Sequence, residues 1–492
     1  MSGFSSDDRL ASDRAVSHGL PPGTRRVHFV GVGGVGMSGV AEMMMKLGYE
    51  VSGSDQKASA ATARLRDLGV SVETGHDARW VEEAEAVVVS TAVPDDNPEL
   101  TEARRRQLPV IQRGVMLARL ARSRSTVAIT GTHGKSTTSS MVAVVLADCG
   151  LDPGVIVGAR VRAFGSNARV GKGPYFVLEA DESEPSLLEL TPQVAVITNL
   201  EEEHLDHYGT FTALRDTMVS FANQVVETGV VVLCADDPEL VSLRGRITRR
   251  VVTYGLENAR ADVIGDQPVF EATNSRCFLR YQHQGRSGEV ALRVGVPGRH
   301  NLLNALAAFA VALEIGLDPV SAATALSEFA GVERRFHVLG VAGGVRVVDD
   351  YGHHPTEIGV VLSTARHQSP SRLVAVFQPH RYTRTARFLD AFARVLATAD
   401  VVILADIFAA GESPVPGITS ERLATEIRRR TDRPVHHAGS LENVVAVAAG
   451  LVRTGDLVLT LGAGSVGSVG PQLLESLRVR ANRSGFGTPE GP

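Results

Sequence analysis

Short apolar runs recur along the chain and alternate with longer segments in which polar and apolar residues are mixed. The runs are rich in Val, Ile and Leu and lack the strict alternation expected of a strand with one solvated face. Such continuous runs predict strands that are buried on both faces of parallel sheets. Strands that alternate with helical segments predict an α/β fold. The runs include Arg26–Val30, Ala86–Ser90, Thr126–Thr130, Tyr175–Glu179, Val194–Asn199, Val230–Ala235, Val345–Asp349, Leu373–Gln378, Val401–Asp406 and Asp456–Leu461.

The motifs that follow these strands divide the chain into parts. Strand–loop–helix patterns open at Arg25, at Ser125 and near Val332. A length of 492 residues suits about three domains of ~150 residues each. We therefore expect domains at residues 25–122, 123–331 and 332–480. The ends of the chain, residues 1–24 and 481–492, are predicted to be flexible tails.

Composition narrows the class of protein. Apolar residues make up 43% and charged residues 21%, with a mean hydropathy of +0.04, as in soluble globular chains. Fifty basic residues stand against 55 acidic ones, so no large basic field predicts a nucleic-acid or membrane partner. Three widely separated cysteines argue against a disulfide framework or a Cys-rich zinc site. The N-terminal segment does not read as a signal peptide and no apolar run is long enough to span a bilayer, so we expect a cytoplasmic protein.

The first motif with chemical content is a glycine-rich turn after the strand Arg26–Val30. Gly31, Gly33 and Gly36 follow the GxGxxG pattern, which lets the backbone approach a pyrophosphate at a helix N-terminus. Asp55 lies about 20 residues further on, where dinucleotide-binding folds place a ribose-binding acid. Taken alone, the pattern predicts NAD binding, with a UDP-sugar or another diphosphate as the alternatives.

The second motif is the sequence GTHGKS, Gly131 to Ser136, between a strand and a helix. Backbone amides of such a loop wrap phosphates, Lys135 neutralises their charge, and Ser136 is placed to ligate Mg²⁺. Ile129 stands where the general GxxxxGK[ST] pattern has its first glycine. Lys135 is one of only four lysines among the 50 basic residues, which favours a specific role for it.

Acidic and histidine residues follow the next two strands. Glu179, Asp181, Glu182 and Glu184 come after one strand, and a segment that includes His204 comes after the other. The carboxyl ends of parallel strands form the ligand-binding edge of an α/β sheet, and carboxylates beside a phosphate loop suit Mg²⁺. The histidine segment lacks the HExxH spacing of a zinc site, so magnesium with phosphate is the better interpretation.

Further candidate binding residues lie in a predicted helix and in the last third of the chain. Asn301 and Asn304 share one helical face and suit either adenine recognition or simple capping and packing. Two later strands end in the sequences VVDDYGHHPTE and FQPHRYTR. Their arginines suit a clamp for a carboxylate or a phosphate, and a histidine such as His353 or His354 can transfer a proton near neutral pH.

Taken in order, GTHGKSTT, EADES, HNLLNALAA, RRF, DDYGHHPTE and QPHRYTR resemble the motifs of the Mur ligases, ATP-dependent amide-bond-forming enzymes of peptidoglycan synthesis. The resemblance covers residues 25–475, and Ile129 is ordinary for this family. It implies a Rossmann-like N-terminal domain that binds a UDP-sugar, a central P-loop ATPase-like α/β domain that binds ATP and magnesium, and a Rossmann-like C-terminal domain that binds an amino acid. It also resolves the first motif in favour of the UDP diphosphate.

Two features resemble the branch of the family that adds L-alanine. Residues 205–230 contain no lysine, whereas other members carry one after the HxD motif. Tyr351, Gly352 and the HRYTR run differ from the branch that recycles a tripeptide, which reads closer to DDFAHHPT. The resemblance thus implies ATP-dependent ligation of L-alanine to the lactyl carboxylate of UDP-N-acetylmuramic acid through an acyl phosphate, in cell-wall precursor synthesis. The tripeptide-recycling activity and, from the first motif alone, an NAD-binding oxidoreductase or regulatory protein are the alternatives.

The resemblance further implies ATP as substrate, two Mg²⁺ ions that Mn²⁺ can replace, and a monomer or weak homodimer. The implied UDP-sugar residues are Gly31, Gly33, Gly34, Gly36, Ser54 and Asp55. The implied ATP residues are Gly131, Thr132, His133, Gly134, Lys135, Ser136, Thr137, Asn301, Asn304, Arg335 and Asp350. The implied metal ligands are Ser136, Glu179 and His204, and the implied amino-acid site is Tyr351, His353, Arg381 and Arg384. The implied catalytic residues are Lys135, His204, His353, Arg381 and Arg384.

Overall fold

The computed structural model describes residues 18–485. The predicted tails fall mostly outside this range, at residues 1–17 and 486–492. Inside it, Leu20 is buried and His18 hydrogen-bonds through Nδ1 to the Tyr49 hydroxyl, 3.1 Å away. The last helix continues to Gly485, past the predicted boundary at residue 480.

Strands and helices alternate along most of the chain. The strands are β1 (Arg26–Val30), β2 (Glu50–Asp55), β3 (Ser71–Thr74), β4 (Ala86–Val89), β5 (Val110–Gln112), β6 (Ser125–Thr130), β7 (Gly154–Val161), β8 (Ser166–Arg169), β9 (Tyr175–Glu179), β10 (Val194–Ile197), β11 (Val230–Cys234), β12 (Arg250–Gly255), β13 (Val263–Phe270), β14 (Ser275–His283), β15 (Arg286–Val294), β16 (His337–Ala342), β17 (Val345–Asp350), β18 (Arg372–Phe377), β19 (Val401–Ala405), β20 (Val435–Gly439) and β21 (Asp456–Leu461). The helices are α1 (Val35–Lys46), α2 (Ala60–Asp67), α3 (Pro98–Arg105), α4 (Arg113–Ala121), α5 (Lys135–Asp148), α6 (Leu205–Tyr208), α7 (Phe211–Asn223), α8 (Pro238–Leu243), α9 (Arg299–Ile315), α10 (Pro319–Ser327), α11 (Pro355–Arg366), α12 (Tyr382–Arg387), α13 (Leu389–Leu396), α14 (Ser420–Arg428), α15 (Leu441–Leu451) and α16 (Val469–Gly485). Short 3₁₀ turns lie at Ala78–Val81, Pro185–Glu189, Arg244–Arg246 and Ser465–Ser468.

The first sheet has the strand order β3-β2-β1-β4-β5, and all its pairs are parallel. β1 lies in the middle, with Val30 paired to Ser54 on one side and to Val89 on the other. The strand order reverses between β1 and β4, which is where Rossmann-like sheets bind their ligands. The glycine-rich turn follows β1 directly and therefore lies at this switch point.

The second sheet has ten strands in the order β15-β14-β13-β12-β11-β10-β6-β9-β7-β8. β6 lies between β10 and β9 and runs parallel to both. Thr130 is opposite Ile197, and Ile129 is opposite Glu179, so three neighbouring strands end at the same edge. The phosphate loop, the acidic segment and the histidine segment follow these three strands.

The third sheet has the order β16-β17-β21-β18-β19-β20, with only the β16–β17 pair antiparallel. Successive residues of β18 point into different apolar clusters: Leu373, Ala375 and Phe377 lie in one, and Val374 and Val376 in the other. The strand is thus buried on both faces, which is why its sequence is continuously apolar.

All ten of the predicted apolar runs are strands, and the predicted α/β class with Rossmann-like and P-loop-like sheets is confirmed. Several strands end one or two residues earlier than predicted, where the polar loop begins. The ten predicted runs did not include β2, β3, β5, β7, β8, β12 to β16 and β20. In β14 buried and exposed residues alternate, so this strand does not have the continuous apolar pattern of the others.

The chain packs as two compact units. Residues 18–268, 277–293 and 303–329 form the first unit, and residues 269–276, 294–302 and 330–485 form the second. The first two sheets lie mainly in the first unit, and the third sheet lies in the second. Within residues 18–485, no helix combines the length and the apolar character needed to cross a membrane.

Candidate functional site

The glycine turn after β1 is held by the neighbouring strand. The backbone N–H groups of Gly31 and Val32 donate to the Ser54 carbonyl oxygen at 2.9 Å, and the N–H of Gly33 donates to the Asp55 carboxylate at 2.9 Å. Gly31 has a φ of +80°, a conformation that favours glycine. The predicted residues Gly31, Gly33, Gly34, Gly36, Ser54 and Asp55 therefore lie together at one sheet edge.

A buried acid that sequence reasoning missed lies behind this turn. Glu99 is fully buried and accepts hydrogen bonds from the Ser54 hydroxyl at 2.8 Å, and it contacts His28 Nε2 and His76 Nδ1, each at 2.7 Å. Burial alone would raise the pKa of Glu99, but His28, His76 and Ser54 lower it below its ordinary value. The Ser54 hydroxyl thus supports the fold of the turn, while its carbonyl holds the glycine loop.

The phosphate loop lies between β6 and α5. Gly131 and Gly134 have φ values of +126° and +82°, which let the chain turn sharply so that α5 begins at Lys135. Lys135 Nζ donates to the carbonyl oxygens of Gly131 at 2.7 Å and Thr132 at 3.1 Å. Thr132, His133, Ser136 and Thr137 complete the predicted loop, and Ser136 and Thr137 are buried in the first turn of the helix.

Asn199, two residues after the end of β10, holds this loop in place. Its Oδ1 accepts from the His133 N–H at 2.8 Å, and its Nδ2 donates to the His133 carbonyl at 2.9 Å. Its own carbonyl accepts from the Thr132 N–H at 3.1 Å. The signal for this role was a polar residue at the end of the predicted run Val194–Asn199, whose strand pairs with the strand that carries the phosphate loop.

Glu179, the last residue of β9, and Glu182, in the segment after it, both contact the phosphate loop. The Ser136 hydroxyl donates to Glu179 at 3.0 Å, as expected for two ligands of one ion. Glu182, whose side chain is 1% exposed, lies 2.7 Å from Lys135 Nζ and 3.3 Å from His204 Nε2. The structure therefore brings together the predicted residues Lys135, Ser136, Glu179 and His204, and it adds Glu182 between Lys135 and His204.

The charges of this cluster stabilise one another. Burial would lower the pKa of Lys135, but Glu182, Asp181 and Glu179 raise it above its ordinary value. The pKa of His204 is likewise raised, because Glu182, Glu203 and Asp181 outweigh the effect of burial. The pKa of Asp181 is lowered, since Lys135, Ser183 and His204 outweigh its burial.

The same residues fit a divalent cation. Asp181, Glu182 and His204 each offer a ligand atom, and these atoms lie within 4.8 Å of one another. The two carboxylates offer hard oxygen donors, which suit Mg²⁺. Glu179 and the Ser136 hydroxyl form a second pair of oxygen ligands close by.

The two predicted asparagines of α9 fall in different units. Asn304 lies in the first, where its Oδ1 accepts from the Thr138 hydroxyl at 3.1 Å and adjoins Gly134 of the phosphate loop. Asn301 lies in the second, where its Nδ2 donates to the Pro297 carbonyl at 2.7 Å.

In the second unit, Asp350 ends β17. Its carboxylate accepts from the N–H groups of Phe336 and Gly352, both at 2.7 Å. Burial raises the pKa of Asp350 to about 6, against the lowering effect of Arg335 and these two N–H groups. The guanidinium of Arg335 lies 5.2 Å from the centre of the Tyr351 ring. Arg335, Asp350 and Tyr351 are thus part of one group.

The loop after β18 meets this group. His353 and His380 have ring centres 5.9 Å apart, and His380 also stacks on Phe408 at 5.5 Å. Arg384 Nη1 lies 3.3 Å from His380 Nδ1. Arg381 has a φ of +69° at the start of α12. His380 and Phe408 were missed as site residues; His380 sits within the QPHRYTR motif, whereas Phe408 carries no local signal.

Burial together with Arg384 and Arg381 lowers the pKa of His380 to about 4, so this imidazole is neutral at neutral pH. The loop therefore combines a neutral histidine, two arginines and an aromatic wall. Such a set can bind a small molecule that carries a carboxylate.

Comparison with known proteins agrees with this arrangement. Family models match consecutive parts of the chain: the Mur ligase family, catalytic domain, at residues 26–125, the Mur ligase middle domain at 129–312, and the Mur ligase, glutamate ligase domain, at 334–464. A curated UDP-N-acetylmuramate–L-alanine ligase from Geotalea daltonii is 46% identical over 453 residues, which cover 92% of this chain and 98% of the relative. Another of the same name, from an Anaeromyxobacter species, is 49% identical over 91% of this chain and 97% of its own.

Solved structures show the same similarity. The crystal structure of UDP-N-acetylmuramate–alanine ligase from Thermotoga maritima has a TM-score of 0.79 and 30% identity, and the match covers 93% of this chain and 99% of that one. A murein peptide ligase from Psychrobacter arcticus shares the fold, with a TM-score of 0.72 and 23% identity over 92% of this chain and 99% of its own. From the three sheets, the loops at their edges and these relatives, we conclude that the chain belongs to the Mur ligase family.

Proposed function

We propose that this enzyme ligates L-alanine to the lactyl carboxylate of UDP-N-acetylmuramic acid at the expense of ATP, in peptidoglycan precursor synthesis. The curated relatives at 46% and 49% identity carry the name of this activity. The structural observation that carries the proposal is the convergence of three loops, after β9, β6 and β10, on Lys135, Glu182 and His204. A reaction that brings an anionic carboxylate to a triphosphate needs such a set of charges.

The reaction has two steps. An oxygen of the lactyl carboxylate attacks the γ-phosphorus of ATP, the bond to ADP breaks, and an acyl phosphate forms. The amine of L-alanine, after losing its ammonium proton, then attacks the acyl carbon, and phosphate leaves with the bonding electron pair. Both steps depend on positioning and on charge stabilisation more than on covalent chemistry by the protein.

The loop after β6 holds the triphosphate. Backbone N–H groups from Gly131 to Thr137 bind phosphate oxygens, and Lys135 neutralises charge on the group that is transferred. Ser136 and Glu179 would hold one Mg²⁺, and His204 with Asp181 and Glu182 would hold a second. When bound, these ions supply positive charge that offsets the repulsion between the carboxylate and the triphosphate. Mn²⁺, also a hard cation, is expected to replace Mg²⁺.

Separate sets of residues bind the UDP-sugar, the adenosine part of ATP and L-alanine. Gly31, Gly33, Gly34, Gly36, Ser54 and Asp55 form the UDP-sugar site at the switch point of the first sheet. Asn301, Asn304, Arg335 and Asp350 bind the adenosine part of ATP. Tyr351, His353, Arg381 and Arg384 bind L-alanine, with both arginines on its carboxylate and His353 accepting the ammonium proton.

The domains at 25–122, 123–331 and 332–480 accordingly bind the UDP-sugar, ATP with magnesium, and the amino acid. We place the enzyme in the cytoplasm, where ATP is made, and predict a monomer or weak homodimer without a nucleic-acid or membrane partner.

Phosphate release tests the proposal directly. Purified enzyme with ATP, Mg²⁺ and UDP-N-acetylmuramic acid should release phosphate steadily only when L-alanine is added. The tripeptide L-alanyl-γ-D-glutamyl-meso-diaminopimelate, offered in place of L-alanine, distinguishes the recycling activity. Turnover that depends on the tripeptide, or on no amine at all, would contradict the proposal.

A further inference from the structure

The guanidinium of Arg113 lies against the third glycine of the glycine-rich turn. A Cβ built on Gly36 would lie 2.9 Å from Cζ of Arg113 and closer still to its Nη1. Any side chain at position 36 would therefore displace the arginine. The absence of a side chain at Gly36, the third glycine of GxGxxG, leaves room for the Arg113 guanidinium beside the first turn of α1. The GxGxxG pattern alone does not indicate this role.

The other nitrogen of the same guanidinium is anchored on the acidic segment. Arg113 Nη2 forms an ion pair with Glu184, and the two side chains are 18% and 12% exposed. Glu184 also accepts from the Ser186 hydroxyl at 3.2 Å. A Cβ on Gly114 would lie 2.6 Å from Glu184 Oε2, so α4 and the acidic segment are in close contact. Arg113 thus links the glycine-rich turn to the segment that carries Glu179 and Glu182.

The positive charge of the Arg113 guanidinium lies near the N-termini of two helices, so negative charge is needed to stabilise it there. Arg113 is the first residue of α4, and its guanidinium reaches the first turn of α1. Each helix N-terminus carries about half a positive charge, so a cation is unfavourable at both. Burial would lower the pKa of Arg113, but Glu184, Asp181 and Glu179 raise it, so these acids already balance part of the positive charge. A diphosphate on the glycine-rich turn would add negative charge at Nη1, the nitrogen that faces the turn.

Resting on the proposed function, we propose that Arg113 contacts the diphosphate of the UDP-sugar through Nη1 while Glu184 holds its Nη2. Arg113 is then a substrate-binding residue of the first domain, and Glu184 is a positioning residue that acts through it. Glu184 lies close along the chain to Glu179 and Glu182 of the proposed ATP and magnesium site. The Arg113–Glu184 pair therefore connects the proposed UDP-sugar site to the residues of that site.

The test uses Arg113→Lys, which keeps the charge but cannot keep both contacts. A lost hydrogen bond between charged groups weakens binding by about tenfold to a hundredfold. We expect the Kd for UDP alone, measured by calorimetry, and the KM for UDP-N-acetylmuramic acid to rise by that factor. The KM values for ATP and L-alanine should change by less than about twofold. Glu184→Gln should raise the same Kd by a smaller factor, and the double variant should show less than the product of the two effects.

Arg64→Lys is the matched control. Arg64 Nη2 also joins two segments, with Glu42 of α1 and Ser166 of β8 each 2.8 Å away, and both of these partners lie outside residues 31–36. Its replacement should leave the Kd for UDP unchanged. Unchanged UDP binding in Arg113→Lys, or equal losses for Arg64→Lys and Arg113→Lys, would overturn the inference and make Arg113 a structural tie only. If the wild-type enzyme binds neither UDP nor the UDP-sugar, the proposed function itself fails.

Discussion

Replacing Glu182 with Gln tests whether the acid between Lys135 and His204 organises the reaction centre. The carboxylate is 1% exposed and contacts both cations, at 2.7 and 3.3 Å. Gln keeps one oxygen acceptor for Lys135 but loses the negative charge and the second acceptor. Hydrogen bonds to charged groups contribute about 1.5–3 kcal/mol each, and breaking a buried pair costs about 3–5 kcal/mol. We expect the free energy of unfolding to fall by about 3 kcal/mol.

In the Glu182→Gln enzyme, turnover should fall by more than the loss of folding stability alone would cause. With Gln at position 182, Lys135 keeps the two loop carbonyls, one neutral amide oxygen and the field of the neighbouring acids, but it loses its charged partner. A shift of about 1 Å in a positioned group can lower the rate by about 10²-fold. Phosphate release measured at saturating substrates should therefore fall by about that factor. The pKa of His204 should also fall, because Glu182 contributes the largest effects that raise it.

The assays are urea denaturation followed by circular dichroism, phosphate release, and NMR titration of the histidine ring protons. Glu189→Gln is the control, since Glu189 ends the 3₁₀ turn that follows the acidic segment and is 52% exposed in a 3.6 Å pair with Arg122. It should leave all three readouts unchanged. A Glu182→Gln enzyme with wild-type stability and wild-type turnover would refute the role assigned to this acid.

Three further predictions address other parts of the chain. Lys135→Arg should lower phosphate release by about 10²-fold or more, because a planar guanidinium does not fit among the loop carbonyls; near-normal turnover would remove Lys135 from the mechanism. The pKa of Asp350 is about 6 in the folded chain against an ordinary 3.8, so its contribution to the unfolding free energy should fall by about 3 kcal/mol as pH rises from about 4 to 6. Urea denaturation of Asp350→Asn at several pH values should lack this part of the slope, and an identical slope would contradict the burial effect. Asp456→Asn should destabilise the second unit by about 3–5 kcal/mol, since the fully buried carboxylate pairs with Arg372 at 2.6 Å; an unchanged urea midpoint would show that the pair contributes nothing.

Much of the fold follows from local sequence. Parallel strands buried on both faces need continuous apolar residues. Runs such as Leu373–Gln378 can therefore be recognised as strands from the sequence, without knowing which strands they pair with. The glycines at 131 and 134 and the lysine at 135 define a phosphate loop because few sequences satisfy its backbone and charge together. A site whose residues are close together in the sequence can therefore be predicted from the sequence.

Contacts between distant segments were decided only by tertiary structure. Four acids lie within the six residues from Glu179, the last residue of β9, to Glu184, and the sequence alone does not say which of them faces Lys135. The answer depends on the order β10-β6-β9 and on the course of the acidic segment, which brings Glu182 to Lys135 and Glu179 to Ser136. Arg113 and Glu99 carry no motif, because their partners are distant along the chain: Glu184 is 71 residues from Arg113, and His28 is 71 residues from Glu99.

The sequence by itself determined the three α/β parts, the order of their motifs and the chemical type of each loop, because these rest on short-range periodicity and on backbone conformations that particular residues favour. Only the tertiary structure decided which charges neutralise one another, why Gly36 must lack a side chain, and that Asn301 and Asn304 belong to different units. Ion pairs and close approaches form across strands and helices, and the energy of each depends on distance and burial, which exist only in the folded chain.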